Sequence, residues 1–560
     1  MDRSACTFVA SSLENQARLE SLGSPKANRQ SLSRLRCVSF PTSAQLKSYL
    51  NGLKEAAESD HRAIGKAQAL FLTHESSPGT PFILPNGMKI ARKMERVIRD
   101  LYDQNEYQEV QSPQLYRSSL WKTSGHWDNY RDDMFCSEGY KERSERSRSS
   151  SAWMEKAKVA EEVDRERGGC CSAHSEKASS SSEPKREEGR EKEEQDEESF
   201  GLKPMNCPGH CLIFSSQTRS YRDLPIRFAE FSPLHRNESS GSLSGLTRVR
   251  RFHQDDAHVF CTPSQISGEI AKMLEMLSSA YETFGFRDFE LALSTRPATN
   301  FIGEEEEWER AEEALRKALD GTGRVWEVNR GDGAFYGPKI DIRLVDSAGR
   351  KHQTATIQLD FQLPRRFELS YLDRDGETKV PVMIHRAILG SVERFMAILI
   401  ESTAGFWPFW INPLQAVILP TNHDPEVKLF AEKVRHLLSL GDQADLLLHS
   451  LDERVETLGL KRRNLQKLNV DLWTGSDRTL SKSVRKAQMQ RYNFIIFVGP
   501  KEVEQGRVTL RMRQEPSGGG GGGGVKSEFK AWLRSKIESG HTFSPKELRD
   551  IFCFMDSCHI

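Results

Sequence analysis

At 560 residues the chain is long enough for three or four domains. Its 80 basic and 80 acidic residues cancel, which excludes a global basic field and leaves any nucleic-acid contact to local patches. An apolar fraction of 37% is low for a compact protein and predicts polar insertions, the ten cysteines are mostly scattered and fit a reducing compartment, and no apolar run reaches membrane-spanning length.

In chain order, residues 1–40 are rich in Ser and Arg, poor in acids, and lack a secretory apolar stretch. The chain reads as cytoplasmic, with a mitochondrial or other organellar address as the alternative. Residues 1–60 form an N-terminal extension. From 61 to 136 helical spacing (KIARKMERVIRDLYDQNEYQEV) gives way to the extended VQSPQLY. Residues 137–199 are Ser, Glu, Lys and Arg with almost no aromatics and predict a disordered insertion. Structured sequence resumes at GLKPMNCPGHCLIF and continues to about 412. Strands then alternate with helices: AVILPT, PEVKLFAEKVRHLLSL, VDLW, SKSVRKAQMQRY and NFIIFVG. That order predicts a small mixed α/β domain of five strands over 413–515, with a second insertion near 438–468 and an extra helical stretch, DERVETLGLKRRNLQKL. Gly518 to Gly524 form a flexible linker within 516–560, followed by one amphipathic helix, EFKAWLRSKI.

Three patterns bear on chemistry. HRNE, a Ser/Gly turn and TRVRRF would set arginines on two strands joined by a turn. The rigid guanidinium fork suits phosphate, so a nucleotide site is one reading and a solvated basic hairpin the other. Cys207, His258 and His385 lie far apart, and their spacing matches no zinc finger, so spacing alone says nothing about a metal. HRAILGSVERFMAILIE reads as a strand entering a helix, with Gly390 allowing close packing and Arg394 in the first turn. It is a capped amphipathic helix on the plain reading and an arginine aimed at a nucleotide on the sharper one.

These segments together resemble a known family. FSPLHRNE…GLTRVRRFHQDDAHVF is similar to motif 2 of class II aminoacyl-tRNA synthetases, GSVERF to motif 3, and SPQLYRSSLWKTSGHWDNY to the motif 1 region. KPMNCPGH, QDDAHVF, STRP, GAFYGPKIDI, TIQLDFQLP and PVMIHRAILGS resemble the threonyl-tRNA synthetases in particular. The resemblance implies an α+β fold: a class II catalytic domain over 61–412, an antiparallel sheet with flanking helices, then a small α/β anticodon-binding domain. It implies threonine activation by ATP and transfer to tRNA(Thr), with a non-catalytic relative that binds tRNA or a partner as the alternative.

Residue by residue, the resemblance makes Cys207, His258 and His385 ligands of one zinc ion per subunit. Threonine's amino and hydroxyl groups would occupy its open position, so that valine is rejected for want of a hydroxyl. Met205, Gln254, Asp256 and Tyr336 would surround the amino acid. Arg236, Glu238, Arg248, Phe252, Gln353, Gln358 and Arg394 would hold ATP with Mg2+. Arg236, Arg394, His126 and Lys339 would serve catalysis, His126 helping to activate the terminal ribose. Glu504, Arg511 and Arg513 would read the anticodon. Pro113 in the motif 1 region implies a homodimer. LKEAAESDHRAIGKAQALF resembles the end of the family's linker helix. The room before it is too small for the editing domain many members carry, so measurable seryl-tRNA synthesis is expected.

Overall fold

The structure is a computed structural model describing residues 42–137, 199–299, 301–345, 351–440, 468–475, 479–514 and 525–560. The predicted insertion at 137–199, apart from its two ends, therefore lies outside the described residues. So do the helical stretch expected within 438–468 and the glycine run.

The first part of the chain supplies helices. Ser43–Glu58 is a helix, and α1 (His61–Ala67) follows with Asp60 as its N-cap, accepting from the Arg62 N–H. In α2 (Pro85–Gln104) proline stands in the first turn, where its missing N–H costs nothing. Ile90, Met94, Val97, Ile98 and Leu101 recur at three and four, and all are buried. VQSPQLY is strand only at its end, in the short strand Leu115–Arg117, and β1, the two-residue Gln108–Glu109, precedes it.

After α3 (Cys207–Ser215) come two long strands, β2 (Ile226–His235) and β3 (Arg251–Cys261). Helix α4 (Ile266–Phe284), β4 (Glu290–Ser294), α5 (Glu305–Gly321) and β5 (Trp326–Asn329) follow, then β6 (Lys339–Val345), β7 (Lys351–Asp360), β8 (Val382–Ser391) and α6 (Val392–Ser402). These strands form one eight-stranded sheet in the order β5-β4-β6-β7-β8-β3-β2-β1. The five pairings from β4 to β2 are antiparallel, as expected. The two edge pairings, β5 with β4 and β1 with β2, are parallel. The first is a β-helix-β crossover through α5, the connection a parallel pair requires. Helices α2, α4 and α6 pack against the sheet around one large apolar core containing Ile270, Leu277, Ile340, Ile357, Ile388 and Phe395.

The second domain has β9 (Ala416–Pro420), α7 (Pro425–Leu440), β10 (Val470–Leu472), α8 (Leu480–Met489), β11 (Phe494–Val498) and β12 (Thr509–Met512). Four strands, not five, are present among the described residues, in the order β10-β9-β11-β12 with only the last pair antiparallel. The C-terminal segment differs from expectation. It holds two helices, α9 (Val525–Glu538) and α10 (Pro545–Ser557), the second with a Ser544/Glu547 capping box. Leu548, Phe552 and Met555 of α10 pack with Ala416, Phe494 and Val434 in the second core. The pattern after the glycines is thus not a tail but the closing layer of this domain.

Candidate active site

Strand periodicity builds the site. On β3, Phe252, Gln254, Asp256 and His258 are two residues apart, so all four project to one face. Cross-strand register then sets His258 opposite His385 on β8, and His385 opposite Gln358 on β7. Cys207 is delivered from outside the sheet, as the first residue of α3. One ligand atom from each of Cys207, His258 and His385 lies within 4.8 Å of the others, and all three residues are buried.

Supporting hydrogen bonds decide which ring nitrogens face inward. His385 Nε2 is 2.9 Å from Asp360 Oδ2, and His258 Nδ1 is 2.8 Å from His210 Nδ1. The chain continues from His210 Nε2 to Glu230 Oε2 at 3.1 Å, and Glu230 also accepts from Lys203 Nζ at 2.8 Å and Ser112 Oγ at 2.7 Å. His258 Nε2 is left buried with no hydrogen-bond partner. A buried ring nitrogen aimed at a cysteine and a second imidazole, with both imidazoles braced from behind, suits a metal ion of zinc type. Burial, and then the nearby Asp256 carboxylate, push the Cys207 thiol well up, while burial pushes His258 well down. A cation reverses the first effect, because a coordinating thiol is deprotonated.

Along β3 from these ligands lies a cavity of about 260 Å3. Arg236, Glu238, Arg248, Phe252, Gln353, Gln358 and Arg394, the seven residues expected at ATP, all line it, as does Gln254. Arg248 Nη2 is 2.8 Å from Glu238 Oε2. Arg236 lies over the Phe252 ring at 5.0 Å. Arg394 donates to the carbonyls of Thr247 at 2.8 Å and Gln353 at 3.2 Å. Burial, then Arg236 and Arg248, push the Arg394 guanidinium down. Three guanidinium groups facing one carboxylate leave the cavity short of negative charge, which an anion such as a polyphosphate supplies. Gly390 permits the close approach expected of it. Its φ is +68°, and a Cβ there would lie 2.0 Å from the Thr354 carbonyl oxygen on the neighbouring strand.

Asp256 accepts from Asn206 Nδ2 at 3.1 Å, and the Tyr336 hydroxyl donates to Gln358 Oε1 at 2.5 Å. The Tyr336 ring stands 5.3 Å from that of His385. Asp256 and Tyr336 are thus brought between the Cys/His/His cluster and the cavity. Met205 packs with the apolar cluster that includes Cys207. His126 is buried, its Nδ1 2.8 Å from Ser124 Oγ and its ring 5.8 Å from Phe335. Burial is the main force lowering its imidazole to about 4, so it is neutral at physiological pH. Lys339 is not among the residues lining the cavity. Its ammonium pairs with Asp341 at 3.0 Å and Asp332 at 3.7 Å.

The residues expected at the anticodon are not gathered in the same way. Glu504 and Arg511 are exposed. Arg513 lies at the junction of the two domains, donating to the carbonyls of Arg491 at 2.9 Å and Trp407 at 2.8 Å.

Sequence reasoning missed the braces Lys203, His210, Glu230 and Asp360. His210, three residues after Cys207 on a helix, was the one detectable signal, since that spacing shares a helix face.

Residues 190–403 match the family described as tRNA synthetase class II core domain (G, H, P, S and T), and residues 415–519 match the anticodon binding domain. The chain is 42% identical over 506 residues to threonine–tRNA ligase, mitochondrial 1, of Arabidopsis thaliana, covering 90% of this chain and 59% of that one. It is 43% identical over 518 residues to the cytoplasmic threonine–tRNA ligase of Saccharomyces cerevisiae, covering 91% and 59%. The chain thus spans about three fifths of the length of these curated relatives. Among solved structures, the RNA binding domain of threonyl-tRNA synthetase from Cryptosporidium parvum aligns with a TM-score of 0.65 at 36% identity, covering 89% of this chain and 98% of that one.

Proposed function

Because the chain belongs to the threonyl-tRNA synthetase family of class II synthetases, we propose that it is a threonine–tRNA ligase acting on threonine, ATP and tRNA(Thr). One observation carries this reading. A metal-competent Cys/His/His cluster and an arginine-rich cavity lie on the same strand face, with Gln254 lining the cavity and Asp256 between it and His258. An amino acid held between them reaches both.

Cys207, His258 and His385 would hold a zinc ion, which would supply a Lewis acid for the amino and hydroxyl groups of threonine. Asp256 accepts from the hydroxyl, and Gln254 and Tyr336 flank the substrate. Arg236 holds the α-phosphate while the threonine carboxylate attacks it in line. The bond to the β-phosphate breaks and pyrophosphate leaves, its charge met by Arg248, Arg394 and Mg2+. Phe252 stacks on adenine, with Gln353 and Gln358 beside the adenosine. Lys339 orders the cleft through Asp341, which also accepts from Ser294 Oγ at 2.7 Å. In the second step the neutral His126 takes the proton from the terminal ribose hydroxyl as AMP is displaced. Glu504 and Arg511 offer donor and acceptor groups to anticodon bases. The working form is a homodimer through the motif 1 region, and the compartment is the cytoplasm. No helix among the described residues is long and apolar enough to cross a membrane.

The test is ATP–pyrophosphate exchange with threonine, serine and valine, with and without a zinc chelator. Threonine-dependent exchange that is lost with the metal is expected. Valine, lacking the hydroxyl, is rejected strongly. Serine lacks only a methyl, worth about 1–3 kcal/mol, and retains measurable exchange. Exchange that ignores threonine, or that survives complete metal removal, overturns the reading.

A further inference from the structure

Outside this site, Asp60, His61 and Glu401 bring ligand-type atoms within 4.8 Å of one another. Both ring nitrogens of His61 are already engaged, which speaks against a second metal. Nδ1 is 2.7 Å from Glu401 Oε1, and Nε2 accepts from the Leu246 main-chain N–H at 3.1 Å. The Asp60 carboxylate is taken by Arg62. A main-chain N–H can only donate, so Nε2 is the acceptor and the Nδ1 proton goes to Glu401. The ring is 3% exposed and lies against Phe71, with centroids 6.2 Å apart and planes 25° from parallel.

Leu246 lies in the loop between β2 and β3, and three successive residues of that loop have different fates. Leu246 is fully buried and tied to His61. The Thr247 carbonyl accepts from Arg394 Nε. Arg248 points into the nucleotide cavity. The loop presses so close to His61 that a Cβ on Gly245, whose φ is +49°, would lie 2.1 Å from Nε2. Both anchors trace back to α6. Arg394 is in its first turn and Glu401 near its end, seven residues on and so on the same helix face.

We infer that His61 is a positioning residue for the nucleotide site, fixing the β2–β3 loop against α6 so that Arg248 is held in place for the ATP phosphates. The inference rests on the reading of the cavity as an ATP site. Phosphate positioning is a matter of tenths of an ångström to an ångström, so a loop that keeps its ties to Arg394 and Gly79 but loses the one at Leu246, two residues before Arg248, holds Arg248 less well. His61 is not among the residues lining the cavity.

Two variants separate positioning from bulk stability. In His61→Asn the amide sits where Nδ1 was, keeping the Glu401 contact and losing Leu246. In His61→Gln the longer amide reaches the Nε2 position and restores an acceptor for Leu246. Mg·ATP binding to the whole chain by calorimetry, and KM values in threonine-dependent exchange, are the readouts. For His61→Asn, ATP binding weakens and the KM for ATP rises, each about five- to tenfold, the range of one lost hydrogen bond, while the KM for threonine is unchanged. His61→Gln returns to within about twofold of the parent. Unchanged ATP binding in His61→Asn, an equal rise in both KM values, or no recovery in His61→Gln overturns the inference. A parent chain that binds ATP but shows no threonine-dependent exchange sinks the proposed function, and the binding comparison still decides the role of His61.

Discussion

In the catalytic sheet, residues remote in sequence converge. Cys207, His258 and His385 come from a helix and two strands, yet their ligand atoms meet within 4.8 Å. In the C-terminal domain the reverse holds. Glu504, Arg511 and Arg513 are neighbours in sequence, yet the first two stand exposed and the third is spent on the carbonyls of Arg491 and Trp407. A ladder of strands fixes side chains before any ligand arrives, and the braces Asp360, His210 and Glu230 hold them there. A small-molecule reaction needs that preorganisation. Single-stranded bases splay out to meet a protein surface, so the surface that meets them need not be assembled beforehand.

The comparison is tested most severely at His126. Replacement by Ala is expected to slow transfer to tRNA by about 10²–10⁴-fold in single-turnover assays. Pyrophosphate exchange, which precedes that step, stays near the parent rate. A matching fall in exchange would mean that His126 shapes the activation pocket itself.

Next is the brace behind the Cys/His/His cluster. Burial pushes the Glu230 carboxyl up, but hydrogen bonds from His210 and Lys203 outweigh it and hold it at about 2, below the ordinary 4.5. A depressed carboxylate stabilises the fold above its unfolded value and loses that contribution as pH falls through the folded one. The catalytic domain should therefore lose on the order of 2–3 kcal/mol between about pH 5 and pH 2. Urea unfolding midpoints across that window measure it, and Glu230→Gln should flatten the dependence. An unchanged slope in the variant would assign the acid sensitivity elsewhere.

The smallest effects separate the two arginines of the C-terminal domain. Arg513→Ala removes one of the two side-chain donors on each of the Arg491 and Trp407 carbonyls, which keep Asn412 and Asn493, and should cost about 1–2 kcal/mol in thermal or denaturant stability. Arg511→Ala should stay within about 0.5 kcal/mol of the parent and instead raise the KM for tRNA. If the two behave alike, the distinction between a preformed and an exposed site fails at that point.

Much of this was legible in the sequence, for identifiable reasons. Alternating residues on one strand (Phe252, Gln254, Asp256, His258) follow from the two-residue period, and the resemblance of the flanking motifs supplied their company. Gly390 was readable because only glycine tolerates that approach and φ. The braces were not readable, because Asp360 is set beside His385 by cross-strand register and Glu230 beside His210 by the packing of α3 on β2, and a single sequence discloses neither. The same holds for His61, some 185 residues from the N–H it accepts. Helix α10 was missed because its apolar residues face a core built from strands that stand earlier in the chain, beyond the glycine run. The parallel edge strands were missed because short strands carry little periodic signal.

The pairing of His258 with His385 has a further consequence. They are directly opposed residues on adjacent strands. A slip of one residue between those strands turns one imidazole to the far face of the sheet. Only a correctly registered sheet presents both, so a metal bound by the pair would report on, and through mass action favour, the properly aligned chain over its misaligned competitors.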